Sequence, residues 1–219
     1  MRNLLLLRPE PGLSASAERA RALGLDVICC PLFRIEPIAW EAPDSAHFEG
    51  LLITSANAIR HGGSALDKLR ELPVYAVGAA TAAAARTAGF NVAEIGDGNA
   101  DALLDSLPPS LRLLHLAGED HRNRDRLKTD RRIVYRSVEV DDPQLPDLKD
   151  LVVAVHSPRA GARLADIAGE KYRAAIAAIS ADAAEACGSD WERVEAAAEP
   201  NDNCLLALAA MLCHTSRPR

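Results

Sequence analysis

Six short turns hold the residues best suited to chemistry. They read T-S-A-N (54–57), G-A-A-T (78–81), G-N-A-D (98–101), H-S-P-R (156–159), S-A-D-A (180–183) and P-N-D-N (200–203). In each, small or hydroxyl-bearing residues lead into a helical pattern. A helix start exposes backbone N–H groups that no earlier carbonyl accepts, and the helix dipole adds positive potential there. Such a turn can hold a carboxylate or a phosphate. Helix capping alone is the alternative, because Ser, Thr and Asn cap helices in any protein. Six turns ringing one cleft suggest a ligand with several anionic groups, held by backbone dipoles rather than by a basic groove. The candidate contacts are Ser55, Ala56, Gly78, Thr81, Asn99, Ala100, Ser157 and Ser180. Arg8, Arg159 and Arg136, each in or just after a strand, are the candidate cations. Between Glu119 and Arg136 seven Lys/Arg stand against four Asp/Glu, which reads mainly as a solvated helix face.

Other chemistries lack their residues. No G-x-G-x-x-G follows a strand, and there is no Walker sequence. Ser55 and Ser157 lack the G-x-S-x-G elbow of a nucleophile. His115, His121 and His156 have no ligand spacing and read as structural or exposed. The five cysteines, Cys29, Cys30, Cys187, Cys204 and Cys213, form no CxxC pair and read as buried free thiols. Tyr135 remains, a phenolic hydroxyl within an extended segment.

The elements that must position these residues alternate strand and helix. Strands are expected at 3–7, 27–33, 51–54, 74–77, 92–95, 112–116, 132–140, 151–155, 174–179 and 193–197. Helices are expected at 14–23, 56–69, 79–88, 101–107, 158–167, 181–187 and 203–213. Most strand runs are continuously apolar, as in parallel sheets covered on both faces, so the class is α/β. The turns also repeat. Ser55 and Ser157, Gly78 and Ser180, and Asn99 and Asn201 are each 102 residues apart (157 − 55, 180 − 78, 201 − 99). The chain reads as two similar α/β halves, near 1–107 and 110–213. CPLFRIEPIAW (30–40) and RRIVYRSVEV (131–140) break the rhythm; Pro31 and Pro37 keep the first from being helical. They read as connectors between two domains, with the ligand site between the domains at the strands' C-terminal ends.

Composition narrows the partners. The 219 residues are 48 % hydrophobic and 26 % charged, ordinary for a folded globular chain. Aromatics at 4 % and a net charge of −6 argue against nucleic acid. No apolar run reaches the roughly 18–20 residues of a membrane span, and Leu4–Leu7 is too short for a signal peptide, so the expected location is the cytoplasm. A monomer is expected.

Several segments resemble the uroporphyrinogen-III synthase family: LLLLRPEP (4–11), PLFRIEPI (31–38), LLITSANAI (51–59), VYAVGAATAAAARTAGF (74–90), GDGNADALLDSL (96–107), RIVYRSV (132–138) and VAVHSPRAGARL (153–164). The resemblance runs in order along nearly the whole chain. It implies two similar parallel-sheet α/β domains joined by a two-stranded β ladder, with the active-site cleft between them. Domain one would be 1–30 plus 141–219, domain two 39–131, and the connectors 31–38 and 132–140. Two thin connectors imply a hinge.

The implied substrate is hydroxymethylbilane, a linear tetrapyrrole with eight carboxylates, taken over from the preceding bilane-forming enzyme. Water is lost, the last pyrrole ring is inverted and the macrocycle closes, with no metal and no organic cofactor. Tyr135 matches the family's connector tyrosine, which places it as the donor to the leaving hydroxyl; packing in the ladder is its other reading. Where many members carry G-x-T-T-A, this chain has Ser180-Ala181-Asp182-Ala183-Ala184. A non-catalytic anion-binding or sensor module is the alternative function.

Overall fold

The computed structural model describes residues 1–96, 100–120, 130–169 and 173–215. The chain divides into two compact units. Unit 1 comprises Met1–Arg34 and Glu139–Arg219, and unit 2 comprises Ile35–Val138. The expected turn at Asn99 and half of the basic 119–136 stretch (121–129) lie outside the described residues.

Unit 1 is built on a parallel sheet of five strands: β1 (Leu4–Leu6), β2 (Val27–Cys29), β9 (Val152–Val155), β10 (Ala175–Ala178) and β11 (Arg193–Ala196), in the order β11-β10-β9-β1-β2. Leu5, Val153 and Ile176 point to one face, under helices α5 (Pro158–Ile167) and α6 (Ala181–Ala186). Leu4, Val152 and Ala175 point to the other, under α1 (Gly12–Ala22) and α7 (Asp202–His214). Successive strand residues bury on opposite faces, which explains the unbroken apolar runs. Each fully buried leucine contributes about 1.5–3 kcal/mol relative to exposure.

Unit 2 repeats the plan. Its sheet runs β3-β8-β7-β4-β5-β6, from β3 (Phe33–Pro37), β4 (Gly50–Ile53), β5 (Val74–Val77), β6 (Val92–Gly96), β7 (Leu113–Gly118) and β8 (Asp130–Glu139). Helices α2 (Ala56–His61) and α3 (Ala79–Thr87) cover one face, and α4 (Ala100–Ser106) packs on the other. The 102-residue offset is a structural repeat: α2, α3 and α4 begin at 56, 79 and 100, and α5, α6 and α7 at 158, 181 and 202. Strands β6-β5-β4-β7-β8 of one sheet correspond to β11-β10-β9-β1-β2 of the other. The chain leaves unit 1 within β3 and returns within β8. Ile38 N–H donates to the Val134 carbonyl and Val140 N–H to that of Leu32, so the two strands run antiparallel. The first half of β8 also pairs in parallel with β7.

Local signals explain most boundaries. Gly24 and Gly89 adopt φ of +79° and +85° just beyond α1 and α3, and each closes a six-to-one hydrogen bond, Leu25 N–H to Ala20 and Phe90 N–H to Ala85. Three expectations are corrected. The helix over 56–69 stops at His61, because the Gly62-Gly63 pair turns the chain (Gly63 φ +62°) and 63–69 continues as a tighter 3-10 helix. The strand over 27–33 stops at Cys29, before Pro31, and resumes as β3. The thiols are not uniformly buried: Cys29 is exposed and Cys204 half-buried. Burial pushes the thiols of Cys187 and Cys213 up to about 11, which leaves them protonated and inert. No helix among the described residues is long and apolar enough to cross a membrane.

Candidate functional site

The parallel sheets bring the C-terminal ends of their strands to one edge, and in each unit the candidate turns lie along that edge. In unit 2, Ile53 pairs with Ala76 on one side and Leu116 on the other. Two residues further on come Ser55, Gly78 and Gly118, and Gly118 pairs with Tyr135. Four positions thus share one level of the sheet. Ser55 caps α2, its hydroxyl oxygen accepting from Asn57 N–H at 3.2 Å. Ala56 is buried behind it.

Gly78 caps α3 at φ +83° and has no side chain to satisfy the first-turn N–H groups, so this helix start is open. Thr81 stands buried in that turn, and no hydrogen bond of its hydroxyl occurs among the described residues. Ala100 begins α4. The sequence expects anion contacts here, and an uncapped α3 start is the feature that permits one.

Tyr135 is half-buried on β8, its ring against the core that includes Val134 and Leu116. His61, at the end of α2, approaches it with ring centroids 6.4 Å apart and planes tilted by 39°. Burial, with Arg60 beside it, pushes the His61 imidazole below its ordinary value, so it is neutral near pH 7. Tyr135's hydroxyl has no hydrogen-bond partner among the described residues. It is an available donor. Arg136, one residue on, is held by Glu36 at 3.2 Å and is spent as an ion pair.

Unit 1 finishes the same edge differently. Leu6 pairs with Ala154 and Ala154 with Ala177; two residues on come Arg8, His156 and Ile179. Arg8 donates to Ser16 Oγ at 3.0 Å and to Asp202 Oδ1 at 3.1 Å. The same oxygen accepts from Ser16 Oγ and from His156 Nε2, each at 2.8 Å. Asp202 Oδ2 takes a fork from Arg19 at 3.0 and 2.6 Å. Burial pushes the Asp202 carboxyl up, but the bonds from His156, Arg19 and Ser16 outweigh it and hold the group well below the carboxylate range. His156, its side chain only 8 % exposed, is pushed down by burial despite its bond to Asp202. A Cβ at Gly12 would come within 2.5 Å of the Arg8 guanidinium, so glycine there makes room for the arginine.

Two of the remaining candidates of unit 1 cap helices. Ser157 accepts from Ala160 N–H at 3.2 Å and Ser180 from Ala183 N–H at 3.3 Å. Arg159 stacks its guanidinium 4.6 Å over the Phe33 ring. Asp182 is exposed in the first turn of α6, where the helix dipole favours it. In unit 2, His115 is buried and shares a hydrogen bond with Thr54 at 3.2 Å, which is the structural one of its two expected readings. The Asp202 cluster is the group that sequence reasoning missed. Its members span 194 residues, and the available signal was that the repeat places Ala100 opposite Asp202 and Thr54 opposite His156.

Two doubly wound units of one topology, with helix starts along each sheet edge and a tyrosine on one of them, define a class of two-unit α/β proteins with polar sheet edges. The sequence matches the family model for uroporphyrinogen-III synthase HemD over residues 14–207, and the chain belongs to that family. No curated protein matches the sequence. Among solved structures, uroporphyrinogen-III synthetase from Helicobacter pylori aligns with a TM-score of 0.69 at 17 % identity, over 97 % of this chain and 100 % of that one. A mutant uroporphyrinogen III synthase from Thermus thermophilus aligns with a TM-score of 0.52 at 17 % identity, over 96 % and 98 %. The activity is that of the family: a lyase of tetrapyrrole biosynthesis that closes hydroxymethylbilane to uroporphyrinogen III with inversion of the terminal ring and loss of water.

Proposed function

We propose that the chain works chiefly by orienting its substrate, with Tyr135 as the one hydroxyl that assists bond breaking. The observation that supports this is the placement of Tyr135, with its hydroxyl uncommitted, level with the Ser55 and Gly78 turns of one sheet edge. The pyrroles themselves expel the hydroxyl of the hydroxymethyl carbon and leave an electrophilic azafulvene. A phenol hydrogen-bonded to that leaving oxygen lowers the barrier, and the oxygen departs as water once protonated. The terminal pyrrole carbon that ends the closure loses a proton, so the sum is one water lost. Free hydroxymethylbilane closes to the un-inverted type I isomer, so holding the chain for the spiro route is the larger task.

In this reading the substrate's carboxylates are taken by Gly78, Thr81, Ser55, Ala56, Asn99 and Ala100 in unit 2, and by Ser157, Arg159 and Ser180 in unit 1. Arg8 contributes through its field while bonded to Asp202. Segments 31–38 and 132–140 serve as the connectors. The protein works as a monomer in the cytoplasm and receives its substrate from the bilane-forming enzyme. Purified protein given hydroxymethylbilane, without added metal or nucleotide, should yield mainly the type III isomer by chromatography after oxidation. Type I product at the spontaneous rate would defeat the assignment. Ligand-induced stabilisation without turnover would point instead to a binding module.

A further inference from the structure

The space around Tyr135 carries one step more. The register of β7 and β8 shifts at the end of β7: Ala117 faces Ile133, but Gly118 faces Tyr135, leaving Val134 as the extra residue. A bulge of this kind re-aims the side chain that follows it. A Cβ built on Gly118 would lie 2.6 Å from Cζ, 2.7 Å from Cε2 and 2.9 Å from the hydroxyl oxygen of Tyr135. Real side chains do not approach so closely. Gly118 is not among the residues with positive φ, so its backbone conformation does not call for glycine. The ring does. The hydroxyl end of the phenol therefore lies against bare backbone, with the His61 imidazole in contact with the ring.

We propose that Gly118 is a positioning residue for the reaction: the side chain it lacks is the space the Tyr135 phenol occupies, and that space fixes where the hydroxyl is delivered. This rests on the reading of Tyr135 as the donor to the leaving oxygen. A methyl group at 118 must move the ring, because the sheet backbone that carries it is tied into β4 and β8. A displacement of about 1 Å in a reacting group costs up to about 10²-fold in rate.

The test uses the full chain as Gly118→Ala, Tyr135→Phe, Tyr135→Ala and the two double variants, followed by turnover, isomer ratio and thermal unfolding. Gly118→Ala should lower kcat by about 10- to 100-fold, leave KM close to its original value and raise the type I share. Added to Tyr135→Phe, it should lower kcat no further, since the hydroxyl it misplaces is already gone. Added to Tyr135→Ala, it should leave the unfolding midpoint unchanged, since no ring remains to collide with. A further fall in kcat on the Phe background, or wild-type kcat in Gly118→Ala, overturns the proposal. If Gly118→Ala does not fold, the Gly118→Ala/Tyr135→Ala protein should, and its failure to fold would also overturn it. Full turnover in Tyr135→Phe would instead defeat the donor reading itself, whatever the unfolding midpoints show.

Discussion

At the sheet edge of unit 1, Asp202 gathers Arg8, Ser16, Arg19 and His156 into one hydrogen-bonded cluster. The equivalent edge of unit 2 has Ala100 for Asp202 (202 − 102) and Thr54 for His156 (156 − 102). By register, Arg8, two residues beyond β1, matches Ala117 of β7. Each edge keeps a glycine that makes room for a larger neighbour, Gly12 for Arg8 and Gly118 for Tyr135. In unit 1 the accommodated group is bound by its own chain; in unit 2 it is left available. A carboxylate that already accepts five bonds has no capacity left, and the arginines it holds are partly neutralised for any incoming anion. The repeat thus gives two edges of one topology, of which one is a charged brace and the other has an open helix start and an unbonded hydroxyl.

The sharpest way to break that comparison is Tyr135→Phe. If unit 2 carries the chemistry, loss of one hydroxyl should lower kcat by about 10²-fold or more, with a rising type I share, while substrate affinity holds. Isomer chromatography and steady-state rates decide it; unchanged rate and purity would reduce Tyr135 to packing. Next comes Gly78→Val. A Cβ at Gly78 meets nothing of the chain within 4 Å, so the damage comes from φ +83°, which a β-branched residue rarely adopts. That strain costs about 1–3 kcal/mol and closes the open start of α3, so KM should rise with stability falling modestly.

On the other side of the comparison, Asp202→Asn should act on stability and leave kcat nearly alone. Breaking a buried pair costs about 3–5 kcal/mol, but Arg19 is 47 % exposed and Arg8 29 %, so a loss nearer 2 kcal/mol is expected in urea unfolding. A large fall in kcat at unchanged stability would make unit 1 a reacting edge as well. Acid should reveal the same brace. His156 has its folded pKa below the ordinary imidazole value, so as pH falls the unfolded chain takes up its proton first. Stability is full above about pH 6.5 and declines below it. Asp202, held low when folded, adds its own loss below about pH 4. His156→Gln should flatten part of the first slope; His61, depressed likewise in unit 2, keeps the remainder.

Much of this fold is written locally. Leu4–Leu7 and the VVAV of β9 bury both faces because every residue is apolar, and Gly24 and Gly89 end helices because only glycine sits easily at φ near +80°. The constant 102-residue spacing carried the repeat. The break at Gly62-Gly63 was also written there, as two glycines inside an apolar helical pattern. The Asp202 cluster was not, since its partners come from α1 and from the turns after β1 and β9, and they become neighbours of α7 only once the sheet forms. The shift that seats Tyr135 against Gly118 is likewise a property of two paired strands, invisible in either one alone.

The smallest effects test the least visible difference, between a hydroxyl that caps and one that waits. Ser55 already accepts from Asn57 N–H, so Ser55→Ala removes a cap and should cost about 1 kcal/mol of stability. Thr81 has no such duty: the residue packs beside an uncapped helix start, and its hydroxyl bonds nothing among the described residues. Thr81→Val keeps the volume and the branching, so the folded protein loses no hydrogen bond and its unfolding midpoint should hold. If the hydroxyl serves a substrate carboxylate, the loss appears in KM alone, at about 0.5–1.5 kcal/mol, or roughly 2- to 10-fold. Titration of substrate turnover beside thermal unfolding separates the two serine-threonine roles. Should Thr81→Val lower the midpoint and leave KM untouched, the hydroxyl belongs to the fold, and the open start of α3 must be assigned without it.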